Sequence, residues 1–205
     1  VLAYLCAEFP QAAPAVWAAA LAALVCAAVL AFVLDDLAYY AFHRSAHRVR
    51  WFWASHVIHH SSQHYNLTTA LRQTWTGFLS LGFLFRLPLF LIGFPPAMIF
   101  FVAGLNLVYQ FWIHTEAIGK MPRWFEAVMN TPSHHRVHHA TNARYLDRNY
   151  AASLLVLDRV FGSYQPEVEP VRYGVTTGHY SNNPLTLVFG PLATLLRLGR
   201  QPRRT

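Results

Sequence analysis

Residues 15–47 read AVWAAALAALVCAAVLAFVLDDLAYYAFHRSAH, and this stretch decides the fold. Its first twenty residues, 15–34, carry no charge and are long enough to cross about 30 Å of hydrocarbon as a helix. Asp35 and Asp36 follow, and then His43 and His47, four apart and so on one face of a helix. An apolar span that hands its chain directly to helix-spaced histidines predicts an all-α integral membrane protein with a metal site at the membrane boundary.

The rest of the chain extends that reading. Of 205 residues, 55% are hydrophobic and only 12% charged, which is not the balance of a soluble domain. A second apolar region, Gly77 to Ile113, is broken at Gly93-Phe94-Pro95-Pro96 and holds one charge, Arg86. It predicts two further spans of 17 residues joined by a proline turn, so about three transmembrane helices in one domain, 1–205. The chain opens at Val1 in mid-hydrophobic sequence, which is the expectation for a chain truncated at its N-terminus. The first run lacks a basic leader region and is long for a signal peptide.

Charge sets the orientation. Fifteen Arg and one Lys are present, and all but Arg86 lie in 44–72 and 120–204, which places both segments on the cytoplasmic side. The net charge of +7 is then a topology signal, with attraction to anionic headgroups second and nucleic-acid binding disfavoured because the Arg residues are interleaved with apolar segments. The Arg and Ala bias points to a GC-rich bacterial genome, and the expected location is then the bacterial inner membrane. Cys6 and Cys26 have neither metal spacing nor a disulfide role. Trp51, Trp53, Trp75, Trp112 and Trp124 fall where interfacial anchors belong. Pro122 opens a short amphipathic stretch, Thr131-Pro132 forms an N-cap and first helical position, and Pro184 opens a C-terminal helix with Leu187, Val188, Leu192, Leu195 and Leu196 in the interface. Residues 200–205 read as a basic tail.

The histidines carry the chemistry. His43 and His47, His56, His59 and His60, the single His114, and His135, His138 and His139 form one pattern, with the i, i+3, i+4 triplet used twice. The first span and an even number of crossings in the hairpin return all four groups to one face, where they form a cytoplasmic helical cap. Nine imidazoles exceed the needs of one ion and suit two, with room left for water or oxygen. Imidazole alone admits Zn, Cu, Fe or Ni. Carboxylates are too scarce near the bursts for a Glu-bridged di-iron centre, and the His-Glu-x-x-His protease signature is absent.

These residues carry a resemblance to the membrane-bound fatty acid hydroxylase and sterol desaturase superfamily, whose His-x3-His, His-x2-His-His and second His-x2-His-His are met at 43–47, 56–60 and 135–139. Within it the chain looks most like the alkylglycerol monooxygenase branch and its bacterial relatives. Asp36-x3-Tyr40-x2-His43-Arg44, His59-His60-Ser61-Ser62 and Tyr65 to Gln73 carry that likeness. So do Phe111 to Thr115, Asn130 to His139, Asp147-Arg148-Asn149-Tyr150 and Asp158-Arg159-Val160-Phe161-Gly162. It covers residues 35–175. His64 stands where an acidic or polar residue is expected, and no ligand role is carried to it.

The resemblance implies an O2-dependent oxygenase with two iron ions, acting on a C–H bond of a membrane lipid: an ether lipid, a sterol or a fatty acyl chain. Desaturation on the same site is the alternative outcome. The chain holds no donor domain, so electrons come from an external reductant, a reduced pterin or a cytochrome-type donor. His134 is a possible additional ligand, weighed evenly against a core role, and His64 and His179 read as ordinary core or interface residues. Asp36 lies two helical turns before His43 on the same face, placed to orient a ligand ring. Asn66, Arg72, Asn149 and Asp158 are candidates for supporting the ligands or a polar headgroup. Arg86 reads as snorkelling or paired within the bundle. A zinc-binding transporter needs ionisable residues along a path through the spans and is disfavoured, as is a scaffold that keeps all nine candidate ligands.

Overall fold

The computed structural model describes residue 7, residues 14–176, residue 181 and residues 183–196. Cys6, His179 and the basic tail lie outside the described residues. Within them the protein is all-helical, with only two isolated β-bridges, Met129 with Leu154 and Ala140 with Tyr173.

Helix α1, Pro14–Arg48, has 35 residues and is about 52 Å long at 1.5 Å per residue. It contains neither Gly nor Pro after its first position, so nothing interrupts the ladder, and it continues without a break through His43 and His47. Its N-terminal half is exposed at Val16, Leu21, Val25, Val29 and Leu30, whereas Ala31, Asp35, Ala38, Tyr40 and His43 are buried. α1 is the one helix among the described residues long and apolar enough to cross a membrane.

Against its C-terminal half pack α2, Arg50–His60, and α5, Pro96–Trp112. Between α2 and α5 run the four-residue α3, Leu67–Ala70, two 3₁₀ turns, Gly77–Ser80 and Gly82–Arg86, and α4, Leu87–Leu91. The expected hairpin is therefore only half helical. Its second arm is α5, 17 residues as predicted. Its first arm is broken: Leu81 takes a left-handed φ of 55° between the two 3₁₀ turns, and Ser80 turns its hydroxyl onto the Gly77 carbonyl. Hydroxyls that bond nearby backbone compete with a helical ladder, and apolar composition alone did not register it.

A buried polar network fastens α5 and the broken arm to α1. Arg86 Nε donates to Asp35 Oδ1 at 2.6 Å, so this cation pairs within the bundle, one of the two roles expected for it. Asn106 Nδ2 reaches both Asp35 (3.2 Å) and Asp36 (3.1 Å). Asp36 also accepts from the backbone N–H groups of Ser153 and Leu154, both at 2.9 Å. Asp36 thus does not orient a histidine ring, as its spacing predicted. It caps the loop after residue 150, because that loop offers two free N–H groups at its level of the helix.

The remaining elements are short: α6, Arg123–Glu126, α7, Pro132–His138, α8, Val156–Val160, and α9, Pro184–Leu196. The starts at Pro122, Pro132 and Pro184 follow the sequence reading. Thr131 is extended at the N-cap of α7, but its hydroxyl goes to Glu126 Oε1 at 3.0 Å rather than to the helix backbone. In α9, Leu187 and Val188 bury against Ile58 of α2, while Leu196 stays exposed.

Candidate metal centre

Four segments deliver the nine histidines to one place. The end of α1 carries His43 and His47, α2 carries His56, His59 and His60, the turn after α5 carries His114, and α7 with the residue that caps it carries His135, His138 and His139. They divide into two groups. His43, His47, His56, His60 and His138 converge in one, and His59, His114, His135 and His139 in the other, with ligand atoms within 4.8 Å of one another in each. α2 contributes to both, because His56 and His60 share a face and His59 is turned away from it.

The ring nitrogens meet in a manner that protons alone do not satisfy. In the first group His43, His56, His60 and His138 face one another through Nε2, at 3.0, 3.1 and 3.1 Å in that order. His43 Nδ1 lies 2.7 Å from the Tyr150 carbonyl and His138 Nδ1 3.0 Å from the Arg148 carbonyl. A carbonyl only accepts, so both Nδ1 atoms carry the proton and both Nε2 atoms present bare lone pairs. His56 and His60 must then donate outward, and their two N–H groups collide at the middle contact. No arrangement of neutral tautomers satisfies all three contacts.

The second group is crowded in another way. His114 Nδ1 donates to the Gln110 carbonyl at 2.6 Å, so its single bare Nε2 lone pair faces both His59 (3.2 Å) and His135 (3.0 Å), and His135 Nε2 also faces His139 at 3.2 Å. Alternating tautomers place a donor opposite an acceptor at all three contacts, but only by sharing that lone pair between two donors and the His135 N–H between two acceptors. A cation at the centre of each group removes the clash in the first and the sharing in the second. With metal–nitrogen bonds of about 2.0–2.1 Å, neighbouring nitrogens sit about 3.0 Å apart around an octahedral ion and about 3.4 Å around a tetrahedral one. The observed separations fall in that range, so the donor set fits two ions. Burial supports it further: His56, His59, His60, His135, His138 and His139 are pushed well below the ordinary histidine pKa by desolvation first and neighbouring histidines second, and desolvation lowers His114 to about 4. Neutral imidazole is the form that ligates.

His134 stands in neither group. Its Nδ1 meets the Thr131 hydroxyl at 3.1 Å and its Nε2 lies 4.0 Å from Glu126, whose other oxygen accepts from Thr131, from Ser133 (2.8 Å) and from the Met121 N–H (2.9 Å). This cluster holds the entrance of α7. Of the remaining predicted residues, Asp158 and Asn149 support the site at one remove. Asp158, fully buried, accepts from the Tyr150 and Ala151 N–H groups, both at 2.8 Å, and from Ser163 Oγ at 2.6 Å, which fixes the carbonyl used by His43. Asn149, left-handed at φ 53°, donates to the His134 and Gln165 carbonyls. Asn66 is a local element: it caps α3, accepting from the Thr68 N–H. Arg72 sits in the turn that ends α3 and joins neither group.

Three features escaped the sequence reading. The carbonyls of Arg148, Tyr150 and Gln110 orient ligands, and only the position of Gln110, one turn before His114, could have signalled it. Trp53, expected at the interface, packs on His47 and His60 with ring centroids 5.3 and 5.7 Å away. A cavity of about 560 Å³ opens beside both groups, lined by His56, His59 and His114 together with Tyr39, Phe42, Leu107, Val108 and Phe111. Leu107 and Val108 expose their outer faces on the apolar side of α5.

Comparison with known proteins agrees with this arrangement. The family model described as fatty acid hydroxylase matches residues 28–163. Alkylglycerol monooxygenase of Danio rerio is 48% identical over 147 residues, which is 72% of this chain and 32% of that protein. Alkylglycerol monooxygenase of Homo sapiens is 44% identical over 165 residues, 80% of this chain and 36% of that protein. The ornithine lipid hydroxylase OlsE of Rhizobium tropici is 23% identical over 179 residues. The chain thus spans about a third of the length of the alkylglycerol monooxygenases it matches. No solved structure matches it.

Proposed function

Because the chain belongs to the fatty acid hydroxylase family, we propose that it is the metal-binding portion of an O2-dependent monooxygenase that hydroxylates a membrane lipid, with an ether lipid of the alkylglycerol type as the preferred substrate class. One observation carries the reading: two groups of buried histidines with converging ring nitrogens flank one mostly apolar cavity. Iron held by the two groups supplies the O2-activating chemistry that an unreactive C–H bond requires. His43, His47, His56, His60 and His138 hold one ion, and His59, His114, His135 and His139 the other. The chain's own side chains do the rest. Tyr39, Phe42 and Phe111 exclude water from the cavity, and carbonyls at 110, 148 and 150 fix the ligand rings.

In this reading α1 crosses the bilayer, α5 faces its acyl chains, and the histidine groups sit at the cytoplasmic boundary of a bacterial inner membrane, where a reduced pterin or a cytochrome-type donor delivers electrons. The exposed apolar half of α1 and the exposed faces of Leu107 and Val108 support that placement, since contiguous apolar surface of this kind needs an apolar solvent. The lipid reaches the metals laterally, through the α5 side of the cavity.

The test is the metal content of detergent-purified protein, with His138→Ala beside it, followed by incubation with alkylglycerol, O2 and reductant. About two irons per chain, fewer in the variant, and oxidised lipid are the expected results. One zinc per chain, or metal unchanged by the substitution, overturns the proposal.

A further inference from the structure

α5 is an apolar helix with three polar side chains in its last two turns, and two of them have evident tasks. Asn106 joins Asp35, Asp36 and Ser153, and Tyr109 donates to the Asn130 carbonyl at 2.7 Å. Gln110 has no such task. It is 7% exposed and lines the cavity, and its side chain makes one hydrogen bond among the described residues, 3.3 Å long, to the Asn106 carbonyl of its own helix. A primary amide has two N–H donors, so at least one is left over. A buried donor without an acceptor costs free energy, and an apolar residue of the same size would fit a cavity wall made for a hydrocarbon chain.

The place of this amide is informative. Gln110 lies one helical turn before His114 and on its face, and the Gln110 carbonyl fixes the His114 ring. The spare donor therefore lies in the cavity wall within one helical turn of a candidate ligand ring. An ether oxygen is an acceptor only, set between the glycerol and the alkyl chain, and it matches one spare N–H. A fatty acyl chain has no acceptor in its hydrocarbon length.

Building on the lipid-hydroxylase reading, we propose that Gln110 is the specificity-determining residue of the cavity: its side-chain amide donates to the ether oxygen of an alkylglycerol and holds the neighbouring methylene toward His56, His59 and His114. The hydrogen bond selects ether lipids over hydrocarbon chains of equal length and fixes the register of the chain against the metals.

The test compares an alkylglycerol with the diol of equal length in which a methylene replaces the ether oxygen. Dissociation constants are measured on zinc-loaded protein, which binds without turning over, and kcat/KM on iron-loaded protein. The wild type is expected to favour the ether about tenfold, and Gln110→Met to treat the two alike, because one neutral hydrogen bond is at stake. Gln110→Glu keeps the shape and replaces the donor by an acceptor. It serves if the Met variant fails to retain metal, and it too is expected to lose the preference. Equal binding of both lipids by the wild type, or a preference that survives both substitutions, overturns the assignment of Gln110 and leaves the lipid reading intact. A wild type that binds neither lipid and oxidises neither overturns the lipid reading and the assignment together.

Discussion

The two histidine groups are built in different ways. The group of five is clamped from outside. His43 and His138 give their Nδ1 protons to carbonyls of a single loop, at Tyr150 and Arg148, and His47 Nδ1 lies 3.7 Å from Asp147 at the start of that loop. The loop takes two left-handed residues, Asp147 at φ 59° and Asn149 at φ 53°, and Asp158 ties its far end. The group of four is held from within. His114 leans on a carbonyl of its own helix, all four rings are buried, and Tyr65 packs on His114 and His139 at 5.7 and 5.1 Å. His135 Nδ1 is buried without a hydrogen-bond partner among the described residues. One group depends on a loop that folds around it. The other depends on the packing of α2, α5 and α7.

That difference can be broken at its strongest point first. His135→Ala leaves three imidazoles in the group of four, whereas His47→Ala leaves four in the other. The first is expected to lose one ion per chain and all activity. The second is expected to retain both ions with weakened binding, as read by metal analysis after dialysis against a chelator.

Asp158→Ala should separate the groups more finely. It frees the Tyr150 carbonyl and so loosens His43, and metal affinity is expected to fall about 10–100-fold in the group of five alone. A chelator titration should then show one ion released early and one unchanged. Equal weakening of both ions would mean that the loop supports the whole centre.

The smallest effect is expected from Ser163→Ala, which removes one of the three donors to Asp158 and the contact of Ser163 with Tyr40 Oη at 2.7 Å. A loss of about 1 kcal/mol in stability is expected, with both ions kept. Thermal unfolding monitored with metal content checks it.

Much of this was legible in the chain. The histidine spacing, read as faces of helices, located eight of the nine residues that the structure brings together, because i, i+3, i+4 periodicity survives any packing of the helices that carry it; the single His114 rested on the count of crossings and on the resemblance. The 20 uncharged residues that open α1 were legible from length and composition alone. Support at one remove was not. Asp36 has helical register with His43, yet its carboxylate meets Ser153 and Leu154, residues more than a hundred positions away. Ligand-orienting carbonyls have no residue type at all, so Arg148 and Tyr150, although part of a motif of the resemblance, gave no sign of that task. The broken arm at 77–91 is apolar enough for a helix, and its 3₁₀ turns follow from hydroxyl and backbone details that periodicity does not weigh.

The loop that clamps the group of five lies after every ligand in the chain. His43 is the first ligand and His139 the last, but the carbonyls that set two of the rings come from residues 148 and 150, and the carboxylate that steadies them from residue 158. The chain must therefore be made and folded some twenty residues past its final ligand before that group acquires its geometry. Contacts that span so much sequence form late, because the closure entropy is met before the contact repays it. Under the proposed metal reading, capture by the group of five is in this sense a late step of the fold, and a nascent chain that ends short of the loop holds no finished site there.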